Sequence, residues 1–361
     1  MKVVTVFGTR PEIIRLSQVI KQIDNFCDHT LVHTGQNYDP NLSDVFFEEL
    51  GVRRPDIHMG IQLASFAEQI GQIMIQSEQV LSNIKPDRLL ILGDTNSGLA
   101  AVIAARMGIP VFHMEAGNRC YDDRVPEEIN RRIIDHSSNV LMPYTYRSKE
   151  NLIREGIERQ RIFVTGNPIF EVLEFYKEQI ESSNVLDKLQ LAANAYFLIT
   201  MHRAENVDLS ARLVSLLSGL TQIGQEYQQP IIVSLHPRTA DKIKRFNIDI
   251  DPTYLKMMTP MGFFDFVKLE TNARCVISDS GTVQEECSIF QVPNVTIRDV
   301  TERAETIECG SNILSGGQAE DLLRAVRVVL ASPSNWAPPA EYTTNHVSSI
   351  VSKIVLGYHH A

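Results

Sequence analysis

The stretch Val3-Val4-Thr5-Val6-Phe7-Gly8-Thr9-Arg10-Pro11-Glu12-Ile13 decides how the rest of the chain is read. Val3 to Phe7 is a short, mostly β-branched run of the kind that forms a strand covered on both faces. After Gly8-Thr9-Arg10 comes Pro11, suited to a first helical turn. From there Ile13, Leu16, Ile20 and Ile23 recur at three- and four-residue steps and line one helix face. The unit is therefore strand, tight loop, helix, and it repeats.

Working outward, further candidate strands in the first half are Thr30–His33, Leu89–Leu92, Val111–Met114, Val140–Met142 and Ile162–Thr165. The second half offers Tyr196–Thr200, Ile231–Leu235, Cys275–Ser278, Asn294–Ile297 and Ser311–Leu314, with amphipathic or apolar runs between them. Leu99 to Ala105, apolar all round and followed by Gly108, is expected to be a buried helix. Alternating strands and helices of this kind build parallel sheets with helices on their faces.

With 361 residues the chain suits two domains or one large barrel. Eleven candidate strands exceed the eight of a barrel. A mostly polar helical stretch after Pro168 also halves the chain. The expectation is an α/β protein of two doubly wound Rossmann-like domains facing a central cleft. The first spans 1–168 and the second 169–344, with a last helix at about 345–361 packing back on the first.

A hydrophobic share of 43% with 22% charged residues is that of an ordinary globular protein with a sizeable core. The net charge of −10 and the lack of a basic block exclude a general binder of nucleic acid or of an anionic membrane surface. Five cysteines, an odd number without a C-x-x-C pair, read as reduced thiols. No apolar run suits a signal peptide or a membrane span, so a cytoplasmic location is expected. His359-His360 carries no weight, being as well explained by a tag remnant.

In doubly wound sheets ligands bind beyond the carboxyl ends of the strands. Those ends supply Gly8-Thr9-Arg10, Gly93-Asp94-Thr95 and Glu115-Ala116-Gly117 in the first half. The second half supplies His202-Arg203, His236-Pro237-Arg238, Asp279-Ser280-Gly281-Thr282 and Arg298-Asp299. Two of these loops open helices and aim free N–H groups and a helix dipole outward, which suits phosphate. Taken singly each is as well explained by helix starting, with Thr282 and Glu285 as a capping box and Pro11 in a first turn. The surrounding His202, Arg203, His236 and Arg298 favour phosphate.

No G-x-G-x-x-G follows a strand and no G-K-[ST] occurs, which disfavours tightly held NAD and a P-loop. The histidines are scattered without metal-ligand spacing, so no metal or other cofactor is expected, and His113 inside a strand reads as a satisfied core residue. Ser280 lacks the G-x-S-x-G elbow of a serine hydrolase. Asp94 and Glu115 end neighbouring apolar strands, where a partly desolvated carboxylate suits general acid and base work. Glu127 with Arg131, and Glu128 with Arg132, read on spacing alone as i,i+4 surface pairs.

The order of Gly8-Thr9-Arg10-Pro11-Glu12, Gly93-Asp94-Thr95, Glu115-Ala116-Gly117, Pro126-Glu127-Glu128-Ile129-Asn130-Arg131, Thr165-Gly166-Asn167, His202-Arg203, Asp279-Ser280-Gly281 with Gln284-Glu285-Glu286, and Arg298-Asp299 with Thr301-Glu302-Arg303 resembles the non-hydrolysing UDP-N-acetylglucosamine 2-epimerases along nearly the whole chain. These are related in fold to two-domain glycosyltransferases. The resemblance implies inversion at C2 of a UDP-2-acetamido sugar without NAD or metal, and a homodimer.

It also implies roles for individual residues. Asp94, Glu115 and Glu127 would move protons, with His202 beside them in the catalytic set. Arg10, His202, Ser280 and Gly281 would hold the diphosphate, Glu286 the ribose, and the backbone near Phe266 the uracil. Arg15, His236, Thr282 and Arg303 would complete the binding set. The chain departs from the family in having Arg15 for Lys, Thr282 for Gly and Ala304 for Pro. Gln36-Asn37 stands where many members carry the Gln-His of an activating second UDP-sugar site. The Gly117–Pro126 stretch, Ile13-Ile14-Arg15-Leu16-Ser17 and Thr282-Val283 resemble a sister group, the UDP-N-acetyl-L-fucosamine synthases. That likeness favours UDP-2-acetamido-2,6-dideoxy-β-L-talose as substrate over UDP-GlcNAc.

Overall fold

The computed structural model describes residues 1–36, 40–61 and 65–359. The chain divides into two compact units, Met1–Phe175 with Ala340–Ala361, and Tyr176–Pro339. The helix Pro168–Phe175 thus belongs with the first unit, although the sequence placed the crossover at its start.

The first unit is built on six parallel strands: β1 (Lys2–Phe7), β2 (Asp28–His33), β3 (Ile57–His58), β4 (Arg88–Leu92), β5 (Val111–Met114) and β6 (Val140–Met142). They lie in the order β3-β2-β1-β4-β5-β6. Alternate residues Val4 and Val6, and Leu89 and Ile91, pack with Ala100, Ala101, Ala104 and Ile134 from helices on one face. Ile13, Leu16, Ile20 and Ile23 of the helix Arg10–Asp24 are buried as well, as the spacing of the first stretch requires. The helix Val347–Gly357 sets Val347, Val351 and Val355 in a buried line, and Arg88 donates to the Val355 carbonyl.

The second unit repeats the plan with β7 (Phe197–Met201), β8 (Ile231–Leu235), β9 (Leu255–Met258), β10 (Cys275–Ser278), β11 (Asn294–Thr296) and β12 (Asn312–Leu314), in the order β12-β11-β10-β7-β8-β9. Phe197, Ile199 and Met201 face one core with Leu216, Leu220 and Ile223. Leu198 and Ile232 face the other with Leu269, Val283 and Cys287. Burial on both faces is why these strands read as apolar throughout.

In each unit the connections leave in opposite directions at one pair of strands, β1/β4 in the first and β7/β10 in the second. This is the doubly wound order 3-2-1-4-5-6, with its ligand crevice beyond the carboxyl ends at that pair. Two edge strands, β3 and β9, were not expected from the sequence, being too short or too poor in β-branched residues to stand out. Conversely, Ile162–Thr165 is no strand: Ile162 makes a single bridge to Leu141. The helix Ala100–Arg106 is buried on one face only, with Met107 beyond it exposed. Among the described residues no helix is long and apolar enough to cross a membrane.

Candidate active site

At the switch point of the first unit, β4 ends in Gly93-Asp94-Thr95 and β5 in Glu115-Ala116-Gly117. Leu92 pairs with Met114, so the two loops leave the sheet side by side. A Cβ placed on Gly93 would lie 3.8 Å from Glu115 Oε2, which sets that carboxylate against the residue preceding Asp94. Glu115 itself has φ +64°, in the left-handed region that a side-chain-bearing residue enters at a cost of about 1–3 kcal/mol and typically at functional sites.

Neither carboxylate faces an apolar wall. Arg131 Nε donates to Asp94 Oδ2 at 2.8 Å, and its Nη2 stands 2.7 Å from the same oxygen. Arg15 is ion-paired to Glu115 and lies over the Tyr144 ring at 5.8 Å. Tyr144 Oη and Asn118 Nδ2 donate to Glu115 at 3.3 Å each. Glu115 is 7% exposed and the Asp94 side chain 24%. Each acid is thus held in place by a guanidinium while keeping some access to solvent.

Glu127 lies half-buried in the first turn of the helix Pro126–Ser137. The surface-pair reading of that turn fails for its neighbour. Glu128 is fully buried and accepts the Cys120 and Tyr121 N–H groups at 3.0 Å each and Arg131 Nη1 at 2.7 Å. Arg132 reaches it only at 3.4 Å. A buried carboxylate with these donors fixes Arg131 on Asp94 and shapes the loop after Glu115.

Sequence reasoning did not single out Glu12. It accepts the Thr9 N–H and hydroxyl at 2.8 and 2.7 Å, the Gly8 N–H at 3.1 Å and the Thr95 hydroxyl at 3.2 Å. It therefore ties the loop after β1 to the loop carrying Asp94. Its burial, opposed by the bonds from Thr9, Gly8 and Thr95, raises its pKa to about 7. Arg10, beside it, lies over the Phe46 ring at 5.7 Å.

In the second unit the switch-point loops are His202-Arg203 after β7 and Asp279-Ser280-Gly281 after β10. Asp279, part of a strand-end segment in the sequence but given no role there, organises both. Fully buried, it accepts the His202 and Arg203 N–H groups at 3.0 and 2.9 Å and Asn206 Nδ2 at 3.0 Å, with His202 Nδ1 at 3.1 Å. Burial alone would raise its pKa; His202, the Arg203 N–H and Asn206 outweigh it and hold the carboxyl well below the usual range. The His202 ring, 41% exposed, lies 5.4 Å from the His236 ring. His236 accepts the Arg238 N–H at 3.2 Å, so two imidazoles present themselves together.

Ser280 stands at the N-cap position of the helix Gly281–Phe290 without a side-chain capping hydrogen bond, and the helix therefore begins earlier than a Thr282 cap would place it. Glu285, expected to close that capping box, is buried and accepts Arg303 Nε instead. A Cβ on Gly281 would meet Glu302 Oε1 at 2.8 Å, with Arg303 Nη2 in ordinary contact at 3.5 Å, so a larger residue there would have to displace the Glu302 carboxylate. Arg298 is buried on Glu302 at 2.9 Å. The helix start, Arg203, Arg303 and the two imidazoles form a cradle with the chemistry to take an anion.

Glu286 is 3% exposed and lies beside the fully buried Glu270, whose burial and the nearby Glu286 charge push its carboxyl well above the usual range. Phe266 sits in the helix Phe263–Asn272 with its ring against the core, and its N–H donates to the Gly262 carbonyl at 3.1 Å. Thr282, half-buried, is in the first turn after Gly281. Asn37, which departs from the family's Gln-His pair, lies outside the described residues. Among the described residues no group of three His, Cys, Asp or Glu side chains is arranged to hold a metal ion.

A family model described as UDP-N-acetylglucosamine 2-epimerase matches residues 21–355. The chain belongs to that family. It is 42% identical over 348 residues to the UDP-N-acetylglucosamine 2-epimerase of Methanocaldococcus jannaschii, covering 94% of this chain and 95% of the relative. To the UDP-2,3-diacetamido-2,3-dideoxy-D-glucuronate 2-epimerase of Pseudomonas aeruginosa it is 36% identical over 335 residues, 91% of this chain and 92% of the relative. The crystal structure of the M. jannaschii enzyme in complex with UDP-GlcNAc and UDP superposes with a TM-score of 0.93 at 40% identity, covering 98% and 99% of the two chains. Within this family the chain is an isomerase with activity of the UDP-GlcNAc 2-epimerase type.

Proposed function

We propose that this enzyme inverts C2 of UDP-GlcNAc to give UDP-N-acetylmannosamine, by eliminating UDP and adding it back. The observation that carries the reaction is the pair Asp94 and Glu115 at adjacent strand ends, each oriented by an arginine. The C2 hydrogen lies beside an anomeric C–O bond and not beside a carbonyl, so enolisation is closed to it. One carboxylate removes that proton while the C1–O bond to UDP breaks, leaving a 2-acetamidoglycal. UDP then re-forms the C1–O bond as a second carboxylic acid delivers a proton to the other face of C2. Asp94, Glu115 and Glu127 are the groups for these transfers.

Departing UDP gathers negative charge. Arg10, His202, Ser280 and Gly281 would hold its diphosphate and stabilise the transition state. His236, Arg303 and Thr282 would complete that cradle, Glu286 would take the ribose hydroxyls, and the Phe266 segment would lie at the uracil. Arg15, on Glu115, would orient the acid beside the sugar. No cofactor or metal enters any step.

The choice of UDP-GlcNAc rests on the 42% identical relative of that name, and it reverses the order drawn from the sequence. UDP-2-acetamido-2,6-dideoxy-β-L-talose, converted to UDP-N-acetyl-L-fucosamine for capsule or O-antigen assembly, stays as the second reading. It rests on the Gly117–Pro126 segment. Incubating the enzyme with each sugar in D2O and following C2 by NMR separates them. Deuterium at C2 of UDP-GlcNAc supports the first reading, and exchange confined to the 6-deoxy-L-sugar supports the second. Sugar transfer to an acceptor, or binding without exchange, overturns both. A homodimer is proposed by family likeness, and sedimentation equilibrium tests it.

A further inference from the structure

His113 is 1% exposed on β5 and Asp135 fully buried on the helix Pro126–Ser137, and neither has a part in the reaction as drawn. His113 Nε2 lies 2.9 Å from the Gly93 carbonyl oxygen, and Nδ1 2.9 Å from Asp135 Oδ1. Both partners are acceptors, so each contact is a hydrogen bond when the facing nitrogen carries hydrogen. Asp135 Oδ2 accepts the Gly117 N–H at 3.1 Å and stands 2.8 Å from Arg119 Nη2. Arg119 in turn donates to the Asn118 carbonyl at 2.8 Å and to Glu155 at 2.8 and 2.7 Å.

Three segments meet on this one pair. Gly93 precedes Asp94, Gly117 follows Glu115 by two residues, and the helix bearing Asp135 also carries Glu127 and Arg131. The backbone ladder ends at Gly93, whose N–H donates to the Met114 carbonyl at 3.0 Å, and at Glu115, whose N–H donates to the Met142 carbonyl at 3.1 Å, so strand pairing does not reach Asp94 itself or the loop beyond Glu115. Resting on the 2-epimerase reading above, we propose that His113 and Asp135 are positioning residues that hold the three carboxylate-bearing segments in register for proton transfer at C2. A carboxylate displaced by 1 Å from its hydrogen is enough to cost about 10²-fold in rate, and a fully satisfied buried polar network rigidifies the segments it joins against such displacement.

The test uses His113→Phe, which keeps the volume and removes both contacts, and Asp135→Asn, which keeps one acceptor and loses the other. His113→Gln, with a donor left for Gly93, serves if either fails to fold. Leu81→Ala, a core change outside the strut, calibrates plain loss of stability. The expected result is a fall in kcat of about 10-fold to 10²-fold with KM for the UDP-sugar changed less than about threefold. His113→Gln should recover part of the loss. Hydrogen exchange at residues 93–95 and 115–119 should quicken in His113→Phe and Asp135→Asn and stay as in wild type in Leu81→Ala.

Turnover that falls only as far as in Leu81→Ala at equal loss of Tm overturns the proposal, as does unchanged exchange in both segments. If the wild type itself exchanges no C2 hydrogen with any UDP-2-acetamido sugar, the 2-epimerase reading fails. The hydrogen-exchange comparison then still decides whether the strut fixes these loops.

Discussion

Replacing Gly117 by alanine should be far costlier than the same change at Gly108, although both have positive φ, +79° and +73°. An alanine in the left-handed region costs about 1–2 kcal/mol whatever surrounds it. At Gly108 nothing lies within 4 Å of the new Cβ, so that is the whole effect. At Gly117 the Cβ would stand 2.3 Å from the Ser148 carbonyl oxygen and 2.8 Å from Leu152 Cγ. The nearer atom is backbone and cannot rotate away, which adds an overpacking cost of about 1–3 kcal/mol. Gly117→Ala should therefore lose about 2–5 kcal/mol against about 1–2 for Gly108→Ala. In a domain of this size each kcal/mol moves Tm by about 2–4 °C. Because the Gly117 N–H is bonded to Asp135 and Glu115 is two residues away, turnover should drop in Gly117→Ala and hold in Gly108→Ala. Urea denaturation of both variants at one pH is the assay. Equal losses would refute the argument from close backbone approach.

Asp94→Asn and Glu115→Gln should leave UDP affinity within about threefold by calorimetry while turnover falls by about 10² or more; unchanged turnover removes that residue from the reaction. Asp279→Asn takes an acceptor from His202 and Arg203 and should weaken UDP binding, with a stability loss of about 1–3 kcal/mol; UDP affinity equal to wild type would mean that the cradle does not depend on Asp279. Glu12, raised from 4.5 to about 7, keeps its proton in the folded state where the unfolded chain has lost it. Stability should then fall as pH rises from 4.5 to 7 and level off above. The difference between wild type and Glu12→Gln should change by about 3 kcal/mol across that window, and a flat or opposite trend in urea midpoints would show that the four bonds to the carboxylate outweigh its burial.

The strands that were legible in the sequence are those covered on both faces, because such burial forces an unbroken apolar run. The edge strands β3 and β9 escaped because an edge needs no such run: Ile57–His58 is two residues long, and Leu255–Met258 carries an exposed lysine. Ile162–Thr165 misled for the converse reason, an apolar run serving packing rather than pairing. In the site, the loops were found because they follow strands, whereas their organisers were hidden by long-range partners. Asp135 looks like an ordinary helical acid until His113, on a strand 22 residues away, is seen beside it. Glu128 and Arg131 fit a local helix pattern so well that their true partners, Cys120, Tyr121 and Asp94, left no trace in spacing.

The helix Val347–Gly357 completes the unit to which the opening strand belongs, through Arg88 and through Glu171, which accepts the Ser348 N–H at 2.7 Å. During synthesis, then, the strands of this unit have to wait for a helix translated only after the whole of the second unit before their core closes. The intervening unit has all its strands and can fold meanwhile. Nascent chains stalled before residue 340 should consequently yield a protease-resistant second unit alongside a first one that is still open to digestion.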